Sequence, residues 1–168
     1  RVIGWNRDPA KLENLAKVAN DAGLSFQAAS LDQLGEQADV IITIASSFEA
    51  ILADGQVKGG THIACMGTDT KGKQEVDAAL VARATPFTDE IAQSVTIGEC
   101  QHAIAAALIS DTDIHELGAV INGDHPGRLS EDEVTLFDGT GVGLQDLAVA
   151  SAVVDLAVEK GVAVEVDF

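Results

Sequence analysis

The sequence predicts an α/β fold built on a doubly wound parallel sheet, and three observations carry that expectation. Short apolar runs alternate with helix-period segments from residue 2 to residue 88, in the order β-α-β-α-β. Residues 40–45 read Val-Ile-Ile-Thr-Ile-Ala, a continuous apolar run expected of a central parallel strand buried on both faces. Gly and Pro stand where such units start and stop.

The elements follow in order. Residues 2–5 are strand-like. Asp8 then caps a helix with Pro9 at its first position, where a missing N–H costs nothing. Leu12, Leu15, Ala16, Ala19 and Ala22 recur at helical spacing until Gly23. A short strand over 24–28 precedes a helix capped by Ser30. After the run at 40–45, Ser46 and Ser47 stand at the strand's C-terminal end. Residues 61–66 form the next strand, 75–83 a helix and 85–88 another strand. Residues 89–109 read as one or two helices and 113–121 as another. The Ser130-Glu131-Asp132-Glu133 run has capping-box spacing, but 134–137 has strand character. Residues 139–143 open a long helix over 144–160 that Gly161 ends, and 162–168 alternate like a final strand.

Composition narrows the function classes. The 168 residues correspond to about one domain, and an apolar share of 46% fills a core. A net charge of −17 repels nucleic acid and anionic membranes. No apolar run reaches membrane-spanning length. Cys65 and Cys100 have no C-x-x-C partner, which suits a reducing, cytoplasmic setting. The four histidines form no i, i+4 ligand pair, so no metal site is expected. His62 falls on a strand and His102 on a helix, whereas His115 and His125 are expected to be exposed. The sequence opens on Arg1 directly inside a strand, which is read as a piece lacking an N-terminal part.

Three segments have the spacing of chemistry. In 61–75, Thr-His-Ile-Ala-Cys-Met-Gly-Thr-Asp-Thr-Lys-Gly-Lys-Gln-Glu, a strand runs into a glycine turn that puts Asp69 just past the strand's C-terminal end. Ligands of open α/β sheets bind at that edge. A carboxylate there, with Lys71 and Lys73 close by, suits proton transfer; a helix-capping Asp in a surface loop is the other reading. Asn6 and Arg7 end the opening strand, the position that meets an adenosine ribose in a dinucleotide fold, where Arg accepts a 2′-phosphate. A solvated Arg before a helix is the alternative. Gly139, Gly141 and Gly143 offer a rival phosphate loop, with Asp167 as its ribose acid, although the spacing departs from G-x-G-x-x-G; a structural turn packed closely against a neighbour is the other reading.

Taken together, 5–11 (WNRDPAK), 39–47 (DVIITIASS), 61–77 and 125–150 resemble the ornithine cyclodeaminase/mu-crystallin family. The G-x-D-x-x-G-K-x-E pattern at 67–75 and F-D-x-T-G-x-x-x-Q-D at 137–146 carry that resemblance, which covers nearly the whole chain. It implies a Rossmann-like doubly wound parallel sheet, truncated before its first strand. Residues 1–138 would be the NAD(P)-binding domain, and 139–168 would return to a substrate and dimerisation domain.

The resemblance assigns Asp69 as the acid acting at the substrate's amino carbon. Asn6 and Arg7 map to the cofactor's adenosine end, Ala45 and Ser47 to the pyrophosphate-to-ribose path, and Met66 and Gly67 to the nicotinamide. Thr140 and Gly141 map to a loop over the same ring, which removes the rival phosphate reading. The implied cofactor is NAD(H) or NADP(H), with Arg7 favouring NADP(H). The implied partners are a small amino or imino acid and a second subunit in a homodimer. The implied activity is that of an ornithine cyclodeaminase or an imino-acid reductase, with a non-catalytic NADPH-binding mu-crystallin-like protein as the alternative. Many members carry Ser at 139, Ala at 143 and Pro at 71, where this chain has Gly139, Gly143 and Lys71. The run at 97–104 (IGECQHAI) matches no ornithine-binding feature.

Overall fold

The computed structural model describes residues 1–166. Its elements are β1 (Val2–Gly4), α1 (Leu12–Asp21), β2 (Phe26–Ala28), α2 (Leu31–Gln37), β3 (Val40–Thr43) and β4 (Phe48–Leu52). There follow β5 (His62–Cys65), β6 (Gln74–Val76), α3 (Ala78–Arg83), β7 (Thr85–Thr88), α4 (Ile91–Ser94) and α5 (Gln101–Ala105). The chain continues with β8 (His115–Glu116), α6 (Leu117–Asn122), β9 (Thr135–Asp138) and α7 (Gly143–Glu159).

Five strands form an all-parallel sheet in the order β3-β5-β9-β7-β8. β1 pairs in parallel with β2, and β4 with β6, each pair as its own small sheet. Ile41, Ile63, Leu80, Val81, Val134 and Leu136 belong to the core around the main sheet. The crossover helices begin on local signals. Asp8 accepts from Ala10 N at 3.2 Å ahead of the Pro9–Lys11 turn. Ser30 and Gln33 form a reciprocal capping box on α2. Asp77 accepts from Leu80 N at 2.7 Å at the start of α3.

Four expectations need correction. β3 is an edge strand and is not buried on both faces. Ile41 is buried, but Val40 and Ile42, which point to the opposite face, are 60% and 67% exposed, and among the described residues no strand pairs with the outer edge of β3. Residues 75–83 are not one helix: Gln74–Val76 is a strand paired with β4, and the helix starts after Asp77. Residues 113–121 split into β8 and α6, since the register Phe87↔His115 draws the first part into the sheet. Residues 162–166 form no strand and lie exposed, while 167–168, including Asp167, fall outside the described residues.

α7 stands apart from the core. Leu144, Leu147, Val153, Val154 and Val158 are all more than half exposed. Apolar side chains on every side of a helix are the pattern of one that is covered all round. No described helix is long and apolar enough to cross a membrane.

Candidate functional site

Parallel strands bring their C-terminal ends to one edge, and the predicted residues gather there in two groups. Asn6, Arg7, Ala45 and Ser47 line one groove of about 540 Å³ between the ends of β1 and β3. Asn6 Oδ1 accepts from Asp8 N at 2.9 Å, which fixes the turn that follows β1. Ser47 Oγ donates to Glu49 O at 2.6 Å.

The second group surrounds the end of β5. A Cβ on Gly67 would fall against the Ala45 carbonyl oxygen and 2.5 Å from both Ala45 N and Glu75 Oε1. Only glycine permits this approach of the β3 and β5 ends. Glu75, fully buried, ties them: its carboxylate accepts from Ala45 N, from Thr43 Oγ1 at 2.8 Å and from Gly67 N at 2.9 Å. Met66 packs where a Cβ on Gly139 would stand, 2.8 Å from Sδ, so the two predicted loops touch. Thr140 and Gly141 are held by Asp89, which accepts from Thr140 N at 3.0 Å, Thr140 Oγ1 at 2.6 Å and Gly141 N at 2.8 Å. Burial pushes the Asp89 carboxyl up, but these donors outweigh it and leave a net lowering.

Asp69 lies beyond the C-terminal end of β5 and caps no described helix. It is 63% exposed and pairs with Lys73 Nζ at 2.6 Å. The Lys73 bond, then that of Thr70, holds its carboxyl below the usual range, so Asp69 is ionised at neutral pH.

Three acids that the sequence reading passed over complete the edge: Glu75, Asp89 and Glu99. Glu99 is fully buried; its Oε1 accepts from Glu75 N at 2.8 Å and Val76 N at 2.7 Å, and its Oε2 from Thr68 Oγ1. Burial raises the Glu99 carboxyl to about 7 against these donors. The Cys65, Glu75 and Glu99 ligand atoms lie within 4.8 Å of one another. Both carboxylates are already engaged by backbone and hydroxyl donors, so the cluster reads as structural bracing. Asp138, at the end of β9, accepts from Ser94 Oγ at 2.6 Å, and among the described residues its Oδ1 is buried without a partner. Its carboxyl is raised, burial being the main cause. Both thiols are fully buried. Burial, then the Glu99 charge, pushes Cys65 well up, and burial, then Asp138, pushes Cys100 to about 12.

The histidines are placed differently from expectation. His115 and His125 are partly buried, stacked at 4.2 Å beside Phe87; the β7–β8 pairing sets His115 opposite Phe87, and the turn after α6 brings His125 back against both. His62 Nδ1 lies 2.8 Å from Thr135 Oγ1, and His102 Nε2 2.9 Å from Lys73 O.

Comparison with known proteins agrees with this fold. The chain is 65% identical over 167 residues to the iminosuccinate reductase of Paracoccus denitrificans, covering 99% of this chain and 52% of that protein. The crystal structure of that reductase in complex with NAD+ superposes with a TM-score of 0.97 over 100% of this chain and 52% of that one. An archaeal alanine dehydrogenase dimer with bound NAD gives a TM-score of 0.94 at 31% identity, covering 99% of this chain and 52% of that one. The chain thus spans about half the length of such relatives. The family model of the ornithine cyclodeaminases and mu-crystallins matches residues 1–161, and the chain belongs to the ornithine cyclodeaminase/mu-crystallin family.

Proposed function

We propose that this chain is the dinucleotide-binding part of an enzyme that reduces a small 2-imino acid to the amino acid. The observation that carries the reading is the meeting of Met66, Gly67 and Gly139 at the strand edge. It places the mapped ring-side residues against the mapped sugar-side residue Ala45, in a chain 65% identical to an iminosuccinate reductase. Iminosuccinate is accordingly the substrate first tested. Other small imino acids such as iminopyruvate, and ornithine in a redox-neutral cyclisation, share the reaction class.

The residues present fit a nicotinamide dinucleotide. The groove between β1 and β3 is lined by Asn6, Arg7 and Ser47, and the neighbouring Gly67 and Met66 lie against Ala45 and Gly139. When bound, the reduced cofactor supplies a hydride to the imine carbon. Asn6 and Arg7 take the adenosine end, Ala45 and Ser47 border the path along the chain of the cofactor, and Met66, Gly67, Thr140 and Gly141 face the ring. Asp69, ionised and steadied by Lys73, orients the cationic imine and manages the proton that ends on the product nitrogen. Arg7 supports the 2′-phosphorylated cofactor, whereas the Paracoccus reductase was solved with NAD+. Dissociation constants for NADH and NADPH, measured side by side on wild type and Arg7→Ala, decide between them.

Residues 1–138 are read as the cofactor domain, and 139–168 as the crossing to a substrate and dimerisation domain. The uncovered apolar surface of α7 supports that division and a homodimer. The two free, buried cysteines suit the cytoplasm.

The test is cofactor oxidation by the full-length protein with oxaloacetate, pyruvate or glyoxylate plus ammonia, and with ornithine alone. Turnover with oxaloacetate and ammonia is expected, and Asp69→Asn should abolish it while cofactor binding persists. Cofactor binding with no turnover of any of these compounds would sink the reading in favour of a mu-crystallin-like binding protein.

A further inference from the structure

The run at 97–104, which carries no recognisable substrate feature, turns out to face the Asp69 loop. Three of its side chains hold that loop at three points. Glu99 Oε2 accepts from Thr68 Oγ1, on the residue just before Asp69. Gln101 Oε1 accepts from Gly72 N at 2.7 Å, and Gln101 Nε2 donates to Gly98 O at 2.8 Å, which fixes the amide's orientation. His102 Nε2 meets Lys73 O at 2.9 Å, on the residue whose ammonium pairs with Asp69.

Glu99 is the hub of this arrangement. Its other oxygen takes Glu75 N and Val76 N, so one buried side chain fixes both the start of the loop and the strand that ends it. Glu75 in turn sets the approach of the β3 and β5 ends. Thr68 is 1% exposed, so its hydroxyl has no water to turn to if Glu99 is lost. Asp69 itself is exposed; Lys73 Nζ and Thr70 Oγ1 hold its carboxylate at 2.6 and 3.1 Å, and the loop that carries all three residues sets where that carboxylate stands.

We propose that Glu99 is a positioning residue for Asp69, acting through Thr68, with Gln101 and His102 fixing the far end of the same loop. This rests on the assignment of Asp69 to the reacting end, made above. None of Glu99, Thr68 or Gln101 is placed against substrate or cofactor. Their loss should therefore lower turnover through the orientation of Asp69 and leave cofactor binding in place.

The experiment compares Thr68→Val, Thr68→Ser, Glu99→Gln and Gln101→Ala in the full-length protein. The readouts are kcat and KM for oxaloacetate plus ammonia, the NADH dissociation constant and the unfolding midpoint. Thr68→Val keeps the shape and removes the hydroxyl. It should lower kcat at least tenfold with the NADH constant within about twofold, and Thr68→Ser should restore most of that loss. Gln101→Ala should lower kcat in the same direction, and it carries the test if Thr68→Val does not fold. Wild-type kcat in folded Thr68→Val, Glu99→Gln and Gln101→Ala would overturn the proposal while leaving the functional reading intact. A kcat loss that Thr68→Ser does not rescue, tracking instead the fall in unfolding midpoint, overturns it too. If the wild type turns over none of the imino acids, the functional reading fails first and this proposal falls with it.

Discussion

Asp89 grips Thr140 through both backbone and side chain, with Oδ1 accepting from Thr140 N at 3.0 Å and from Thr140 Oγ1 at 2.6 Å. The pair joins the end of β7 to the loop that follows β9. Asp89→Ala strands the amides of Thr140 and Gly141 and should cost about 2 kcal/mol of stability. Asp89→Asn retains one acceptor and should cost about half as much by the same accounting. Urea unfolding checks both. If the 140–141 loop closes on the nicotinamide ring, Asp89→Ala should also weaken NADH binding about tenfold, or about 1.4 kcal/mol, in a fluorescence titration.

Gly67→Ala is predicted to be among the most damaging single-methyl changes. The added carbon meets backbone of Ala45 and the Glu75 carboxylate, none of which is a flexible end. The β3 and β5 ends must part, at a cost of about 1–3 kcal/mol. Cofactor affinity should fall with it. Gly141→Ala meets no atom within 4 Å, but its φ of +75° makes it a control for backbone strain without steric contact. Comparing the two by thermal unfolding and NADH titration separates steric separation of the strands from strain.

Glu99 makes stability depend on pH in a stated direction. Its carboxyl lies at about 7 in the fold against 4.5 when free, so the native state holds its proton over a range where the unfolded chain has released it. That contribution is complete below pH 4.5 and is lost as pH rises through about 7. Its full size is on the order of 3 kcal/mol. Urea unfolding at pH 5 and pH 8 should show the wild type losing stability relative to Glu99→Gln between the two.

The Asp69–Lys73 pair makes a kinetic prediction. Lys73 is the main cause of the lowered Asp69 carboxyl. Lys73→Met should let it rise towards its ordinary value. If Asp69 handles the proton as proposed, the acid limb of kcat/KM should then move to higher pH. An unmoved limb would show that Asp69 does not control it.

The sequence was most readable where local pattern and tertiary demand agree. A β-branched run marks β3, short apolar stretches mark β5, β7 and β9, and Asp8, Ser30 and Gly23 punctuate the helices as their chemistry dictates. It misled where partners are distant. Gln74–Val76 has the composition of a helix start, but the buried Glu75 carboxylate needs the amides of Ala45 and Gly67, and only a strand delivers it there. His115 joins the sheet because Phe87 lies opposite, a relation invisible in the local run. The position of Met66, Gly67 and Asp69 just past β5 was legible because strand, glycine and acid follow one another closely. Glu99 and Asp89 were not, since their contacts lie 24 and 51 residues away along the chain. For Glu75 a trace existed, as the closing position of the G-x-D-x-x-G-K-x-E pattern.

The two cysteines have a consequence of their own. Both thiols are sealed and held protonated, Cys100 up to about 12, so neither offers a thiolate to a reagent while the fold is closed. Cys65 sits on an interior strand and Cys100 beside α5, just after Glu99. Their alkylation rates are therefore a built-in clock for the opening of the sheet and of the 99–102 platform, read without any added label. A Thr68 or Glu99 variant that loosens only the platform should speed modification of Cys100 ahead of Cys65, and one that opens the whole fold should expose both together.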